Sequence, residues 1–265
     1  MKRTQRHLLL LAGAMLLLPP QIHAADDAEI AETSEIAETS ETPETFWESI
    51  EGSVELGYLF QSGRTDRDEI SARLDVRRDV APNEYRFTSE FLYGKQDGDK
   101  SSDRYALRFR WRHTFATHFF TELSTSYEKD RIREIRHRAE QDFALGYRFI
   151  NRENLVASVG PGFTIQFEEL YVSDDDDDTW NYLATVFQDV RWQFNDSWRV
   201  EQDSRFLIEP SDTDDFFYRF NLGLVGKMTE QISLSVRYSL LYENETPSNV
   251  PSTEQRLVTS LGYSF

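Results

Sequence analysis

Three of the five histidines, those beyond the first 24 residues, together with a run of five aspartates and a ladder of arginines, are the side chains in this sequence that could do chemistry. His113, His118 and His137 are the candidate general bases. Acyl transfer on a strand needs a nucleophile beside its base, and a serine two residues along would supply one on the same face. The residues two positions on are Phe115, Phe120 and Ala139, so none of the three forms that pair. His137, beside Glu134 and Arg136, sits where a rim protease would hold its base, but the acids of such a set are incomplete. Asp174 to Asp178 offers oxygen ligands of the kind Ca²⁺ or Mg²⁺ prefers. Calcium loops space their acids and include a turn glycine; this run does neither, so its carboxylates repel and stay hydrated. No catalytic residue, cofactor or metal site is assigned.

The arginines are more regular. Arg108, Arg110 and Arg112 recur at every second position. Arg73, Arg86, Glu90, Glu140, Asp142, Arg191, Arg205, Arg219 and Arg237 complete a candidate set of clustered charges. A spacing of two puts side chains on one face of a strand. The question is therefore which strands carry them.

From Trp47 onward apolar residues tend to fall on alternate positions. Ile232, Leu234, Val236, Tyr238, Leu240 and Tyr242 alternate with Ser233, Ser235, Arg237, Ser239, Leu241 and Glu243. A helical stripe fails on the same residues, because 232, 235, 236 and 239 read Ile, Ser, Val, Ser. The alternation predicts strands at Ile50–Phe60, Ile70–Val76, Tyr85–Tyr93, Tyr105–Trp111, Phe119–Tyr127 and Phe143–Tyr147. It continues at Leu155–Phe167, Trp180–Phe194, Trp198–Ile208, Phe216–Leu224, Ile232–Tyr242 and Leu257–Phe265. The shortest, Phe143–Tyr147, is expected to begin before its apolar residues. Most approach or exceed the roughly 9–11 residues that a tilted membrane strand requires.

Short connections at Ala81–Glu84, Thr114–His118, Asn151–Asn154, Asn195–Ser197 and Lys227–Gln231 alternate with longer polar ones. The longer ones are Ser62–Asp68, Lys95–Asp103, Glu128–His137, Glu169–Thr179, Glu209–Asp215 and Glu243–Thr253. This is the pattern of an all-β, up-and-down antiparallel transmembrane barrel of about twelve strands, with tight periplasmic turns and longer external loops. An arginine facing lipid at the bilayer midplane costs about 2–4 kcal/mol, so the charged face is expected to line the lumen. Aromatic girdles are expected at Trp192, Phe194, Trp198 and Tyr147 near the turns. The other girdle falls at Tyr93, Tyr105, Tyr127, Trp180, Tyr182, Tyr218 and Tyr242 near the loops. Pro161 calls for a bulge or kink between Gly160 and Gly162. Gln202 and Ser204 on the lipid face, and Phe187, Leu207 and Phe217 on the lumen face, suggest a register shift in some strands.

Targeting residues precede this body. Lys2, Arg3 and Arg6 lead into the apolar run Leu8–Leu18, which ends at Pro19-Pro20 before Ile22-His23-Ala24. Residues 1–24 read as a removable signal peptide. Residues 25–46, where Glu-Ile-Ala-Glu-Thr-Ser occurs twice, read as a disordered acidic periplasmic segment, and 47–265 as the barrel. The chain has 29 basic against 47 acidic residues, a net charge of −18. That excess argues against binding nucleic acid through phosphates. The absence of cysteine excludes disulfides, thiolate metal sites, a cysteine nucleophile and a lipoprotein anchor.

Leu257, Leu261, Tyr263 and Phe265 share one face of the last strand, which ends on an aromatic carboxy-terminus. This resembles the assembly signal of bacterial outer-membrane proteins, so Leu261, Tyr263 and Phe265 are expected to engage the barrel-assembly machinery. The body also resembles the YdiY-like family of salt-induced bacterial outer-membrane β-barrel proteins, a domain of unknown function. The likeness rests on Gly52-Ser53-Val54-Glu55-Leu56-Gly57-Tyr58, Tyr127-Glu128-Lys129-Asp130-Arg131, Leu145-Gly146-Tyr147-Arg148 and Val159-Gly160-Pro161-Gly162-Phe163. Where such proteins usually carry Gly-Asn-Thr, this chain has Gly63-Arg64-Thr65, so its first loop is expected to differ. The resemblance implies the outer membrane of a Gram-negative envelope.

The sequence thus points to a non-enzymatic outer-membrane barrel, either a narrow charged-lumen pore or a salt-responsive envelope protein. The alternatives are a closed surface barrel binding lipid or divalent cations, and an outer-membrane hydrolase. Outer-membrane lipid and lipopolysaccharide are the expected surroundings, and weak divalent bridging from the Asp174–Asp178 run to lipopolysaccharide is one expected contact. Filled barrels run near eight strands and open channels near sixteen or more, so about twelve lies between, and lumen-side Phe187, Leu207 and Phe217 favour a constricted or closed interior.

Overall fold

A computed structural model of the chain describes residues 49–61, 67–171, 179–246 and 251–265. The expectations for residues 1–24, for 25–46 and for Asp174 to Asp178 lie outside those residues. Twelve antiparallel strands close into a barrel in which each pairs with its sequence neighbours and β1 closes on β12. They are β1 (Ile50–Gln61), β2 (Arg67–Val80), β3 (Asn83–Gln96), β4 (Asp99–Thr114), β5 (Phe119–Asp130) and β6 (Ile135–Arg152). The second half is β7 (Leu155–Leu170), β8 (Thr179–Gln193), β9 (Trp198–Glu209), β10 (Asp212–Lys227), β11 (Ile232–Glu243) and β12 (Thr253–Ser264). Gly52 N–H donates to the Phe265 carbonyl at 3.0 Å and Phe265 N–H to the Gly52 carbonyl at 2.9 Å. Both ends of the barrel segment therefore lie on one rim.

The alternation decides the two faces. On β1, Val54, Leu56 and Tyr58 are exposed on the outer wall while Glu55 between them is buried. On β4, Tyr105, Leu107 and Phe109 point outward between inward Arg104, Arg108 and Arg110. Leaving such apolar side chains in water would forfeit about 1.5–3 kcal/mol each, so this wall is built to contact hydrocarbon. Ring closure pairs strand backbones that lipid cannot solvate.

Polarity misleads about strand length at the loop rim. Lys95–Asp103 and Glu209–Asp215, expected as long loops, are mostly strand. β3 and β4 meet across only Asp97-Gly98, and β9 and β10 across only Pro210-Ser211. Asp97 (φ 51°) and Gly98 (φ 91°) both adopt left-handed backbone, as a two-residue type I′ hairpin requires. Glu128–His137 likewise shrinks to residues 131–134, and β6 begins at Ile135, eight residues before Phe143. The first two stretches are polar because they stand beyond the apolar belt, largely exposed to water, whereas Asp130 and Arg133 in the third are buried.

The expected register faults are absent where they were anticipated. Ala144 pairs with Gly162 and Tyr147 with Val159 in one unbroken frame, and Pro161 faces Val186 on the other side. The missing proline donor is accommodated by a lapse in pairing to β6 at Leu145 and Gly146. Gly160 makes that close approach possible, since a Cβ there would meet the Leu145 carbonyl. Gln202 does face outward, where Gln188 on β8 donates to its amide oxygen at 3.1 Å. Phe187, Leu207 and Phe217 do face inward, where they are buried. Register shifts occur instead near Gly94, Glu128, Ile135, Arg148 and Asp212.

Candidate functional site

The barrel turns the arginine ladder of β4 into one wall of a charged lumen. Arg112 donates from Nε to Glu122 on β5 at 2.7 Å and also reaches Asp189 on β8. Arg205 on β9 joins the same Glu122 at 2.5 Å and pairs with Asp142 on β6 at 3.2 Å. Two arginines thus share a carboxylate that is wholly removed from solvent. Phe120 lies between the guanidiniums of Arg112 and Arg148, each 4.7 Å from its ring centre, and Phe187 packs 6.1 Å from Phe120. Such cation–π contacts are worth up to about 2 kcal/mol when desolvated. The ring of Phe120 occupies the space that a side chain at Gly146 would need.

Further ion pairs line the lumen, some between neighbouring strands and some across it. Arg86 on β3 pairs with Asp75 on β2 at 2.7 Å and with Glu201 on β9, far around the ring, at 3.2 Å. Arg219 on β10 grips Glu140 on β6 through two bonds of 2.7 and 2.6 Å. Arg237 on β11 grips Glu55 on β1 through bonds of 3.0 and 2.5 Å. Arg73 pairs with Glu90 and with Asp75. Near the loop rim Arg138 on β6 meets Glu243 on β11 at 3.1 Å, and Arg133 joins them. Charges withdrawn from water are costly unless paired, and three of these bridges, Arg86–Glu201, Arg219–Glu140 and Arg138–Glu243, tie together strands far apart around the ring.

Nine of the twelve sequence-derived lumen charges therefore enter ion pairs. The other three do not: among the described residues, Arg108, Arg110 and Arg191 have neither an ion pair nor a hydrogen bond to their side chains. Arg110 stands directly across from Arg86 in the β3–β4 ladder, whose carboxylates Arg86 already occupies. All three line a cavity of about 840 Å³ whose wall holds fourteen arginines against ten carboxylates. Part of the interior is filled: Leu183, Leu207 and Phe217 form a packed cluster, and Phe120 and Phe187 are buried as well.

Sequence reasoning missed Glu55, Arg104, Glu128, Arg133, Arg138 and Glu243, all partners in this network. Counting back by twos from Glu140 and Arg108 would have reached Arg138 and Arg104. Arg133 belongs to a turn and carries no such signal.

Each of the three histidines makes a local hydrogen bond. His113 Nδ1 bonds Asn83 at 3.0 Å, His118 Nδ1 bonds the Arg148 carbonyl at 3.0 Å, and His137 Nδ1 bonds the Tyr127 hydroxyl at 2.7 Å. Leu261 and Tyr263 are exposed on the outer wall, and the Phe265 ring lies over Gly52. At the loop rim, beyond the Phe206–Phe216–Tyr242 aromatic contacts, Asp215 is pushed up to about 6 by burial and by its acidic neighbours Glu245, Glu209 and Asp212.

A family model described as "Protein of unknown function, DUF481" matches residues 54–265. "Uncharacterized protein YdiY" of Escherichia coli (strain K12) is 24% identical over 224 residues, covering 81% of this chain and 83% of that protein. Among solved structures, the NanC porin superposes with a TM-score of 0.50 at 11% identity, covering 81% of this chain and 98% of that one. The KdgM porin in complex with disordered oligogalacturonate gives a TM-score of 0.43 at 12% identity, covering 80% and 98%. The NanC likeness shows a shared fold, that of a porin barrel.

Proposed function

The chain belongs to the DUF481 family, and from that premise and its lumen we propose that it is a non-enzymatic outer-membrane pore, narrow and favouring small anions. The observation that carries this reading is the trio Arg108, Arg110 and Arg191, which face the cavity and, among the described residues, form no ion pair. Fixed positive charge on a narrow wall lowers the barrier for anions and raises it for cations. The cross-lumen ion pairs and the Phe120–Phe187 packing keep the path narrow, which limits passage to small solutes. In an envelope under ionic stress such a pore would pass inorganic anions selectively, consistent with the salt-responsive role that the family resemblance implies.

The test is a planar bilayer holding the purified barrel across a KCl gradient. The pore reading expects stepwise conductance with a reversal potential displaced toward that of chloride. It also expects Arg108→Ala/Arg110→Ala to move the reversal potential toward zero. A silent bilayer, or cation selectivity unaffected by the double substitution, overturns it.

A further inference from the structure

The barrel's closing seam is paired along only part of its length. β1 and β12 share five registered pairs, from Ser53↔Ser264 to Gly57↔Ser260. Every other adjacent pair shares ten or more; β8–β9 is the shortest, running from Ala184↔Ile208 to Gln193↔Arg199. Both strands continue past the last shared pair. Tyr58–Gln61 of β1 still pair with β2, and Thr253–Thr259 of β12 still pair with β11, except that they do not pair with each other. The seam therefore parts toward the loop rim, leaving two strand edges facing each other.

Those edges lie in the apolar belt. Tyr58 is 66% exposed and Leu257 is 67% exposed on the outer wall beside the parting. Unpaired backbone groups in hydrocarbon cost several kcal/mol each, so an edge left open there needs an occupant or a use. Gly57 marks where the strands part: a Cβ there would stand 2.8 Å from the Ser260 hydroxyl and 2.9 Å from the Thr259 carbonyl. Glycine thus permits the last close approach before divergence.

The inner side of the parting is apolar as well. Val258 on β12 and Leu241 on β11 face the cavity there, with Arg237 and Arg256 beside them. We propose that the β1–β12 parting is a lateral portal through which an acyl chain of an anionic membrane lipid enters the cavity. The chain lies against Val258 and Leu241, and the acidic headgroup meets the arginine-rich wall. This portal is independent of whether the lumen conducts ions from rim to rim.

Photo-crosslinking tests it. Benzoylphenylalanine replaces Val258 (inward, at the seam), Ala106 (inward, on β4) or Leu257 (outward, at the seam), each in barrels folded into phosphatidylglycerol or phosphatidylcholine vesicles. Correct folding is checked by heat-modifiable mobility, and Leu241, inward on β11 beside the seam, is the second position should the Val258 variant not fold. The portal expects lipid adducts at Leu257 and Val258 but none at Ala106, with the Val258 adduct lost in phosphatidylcholine. Adducts at Leu257 alone overturn the portal. Adducts at Ala106 as strong as at Val258 overturn the seam as the route, and equal Val258 adducts in both lipids overturn the anionic class.

Discussion

Arg138 on β6 and Glu243 on β11 stand on opposite walls of the barrel and meet in an ion pair of 3.1 Å across its lumen. Arg133, from the turn between β5 and β6, closes on the same carboxylate. One glutamate thus holds two guanidiniums, all three side chains at most 8% exposed. Glu243→Gln removes the carboxylate that joins the two arginines and leaves Arg138 paired with Glu168 and Arg133 with Glu128. Breaking a buried pair costs up to about 3–5 kcal/mol, and the remaining partners hold the loss toward the lower end. The expected outcome is a lower unfolding temperature in detergent together with larger single-channel steps, because the bridge no longer spans the upper lumen. An unchanged melting profile would mean that the bridge does not bear on stability.

Phe120 is expected to be the lumen's most sensitive apolar position. It is fully buried and carries two guanidiniums on its ring. Phe120→Ala removes the ring and leaves a cavity, a loss of about 3–5 kcal/mol. Denaturant unfolding of the variant and the parent checks this, and a difference below about 1 kcal/mol would contradict the packing role.

Asp215 supplies a pH signature at the loop rim. Its folded pKa is raised to about 6 by burial and neighbouring acids, so the folded state holds its proton more tightly than the unfolded one. Its stabilising contribution is complete below about pH 4 and disappears as pH rises through about 6. Asp215→Asn is therefore expected to stabilise the barrel at pH 8 and to make no difference at pH 4. Thermal melts of both proteins across that range test the sign.

Phe265 closes the seam at the rim that carries both ends of the barrel segment, through two backbone hydrogen bonds to Gly52. Its deletion is expected to leave export intact while reducing insertion into the outer membrane. Fractionation of cells expressing the truncated chain measures this. Insertion equal to the parent's would remove Phe265 from the assembly signal.

The fold was legible because lipid on one side and ionised groups on the other impose period two on every strand, as in Ile232 to Tyr242. It was less legible above the belt, where strands such as β3 and β4 have water on both faces and lose the alternation. The Asp97-Gly98 turn was nonetheless written in the sequence as a two-residue hairpin signal. For the site, parity gave the facing of Arg108, Arg110 and Arg112 but not their partners. Arg86 and Glu201 are separated by 115 residues and meet only because the ring closes. Which arginines stay unpaired depends on that closure, so it could not be read beforehand.

The central claim, that water and anions reach the arginine wall, is tested most directly at Thr88. It lines the cavity across the ladder from Arg108, and no native cysteine competes with one placed there. In a planar bilayer, Thr88→Cys should react with a membrane-impermeant anionic thiosulfonate faster than with its cationic counterpart, and the conductance should fall stepwise. Failure of either reagent to reach that cysteine, or faster reaction with the cation, would contradict the account.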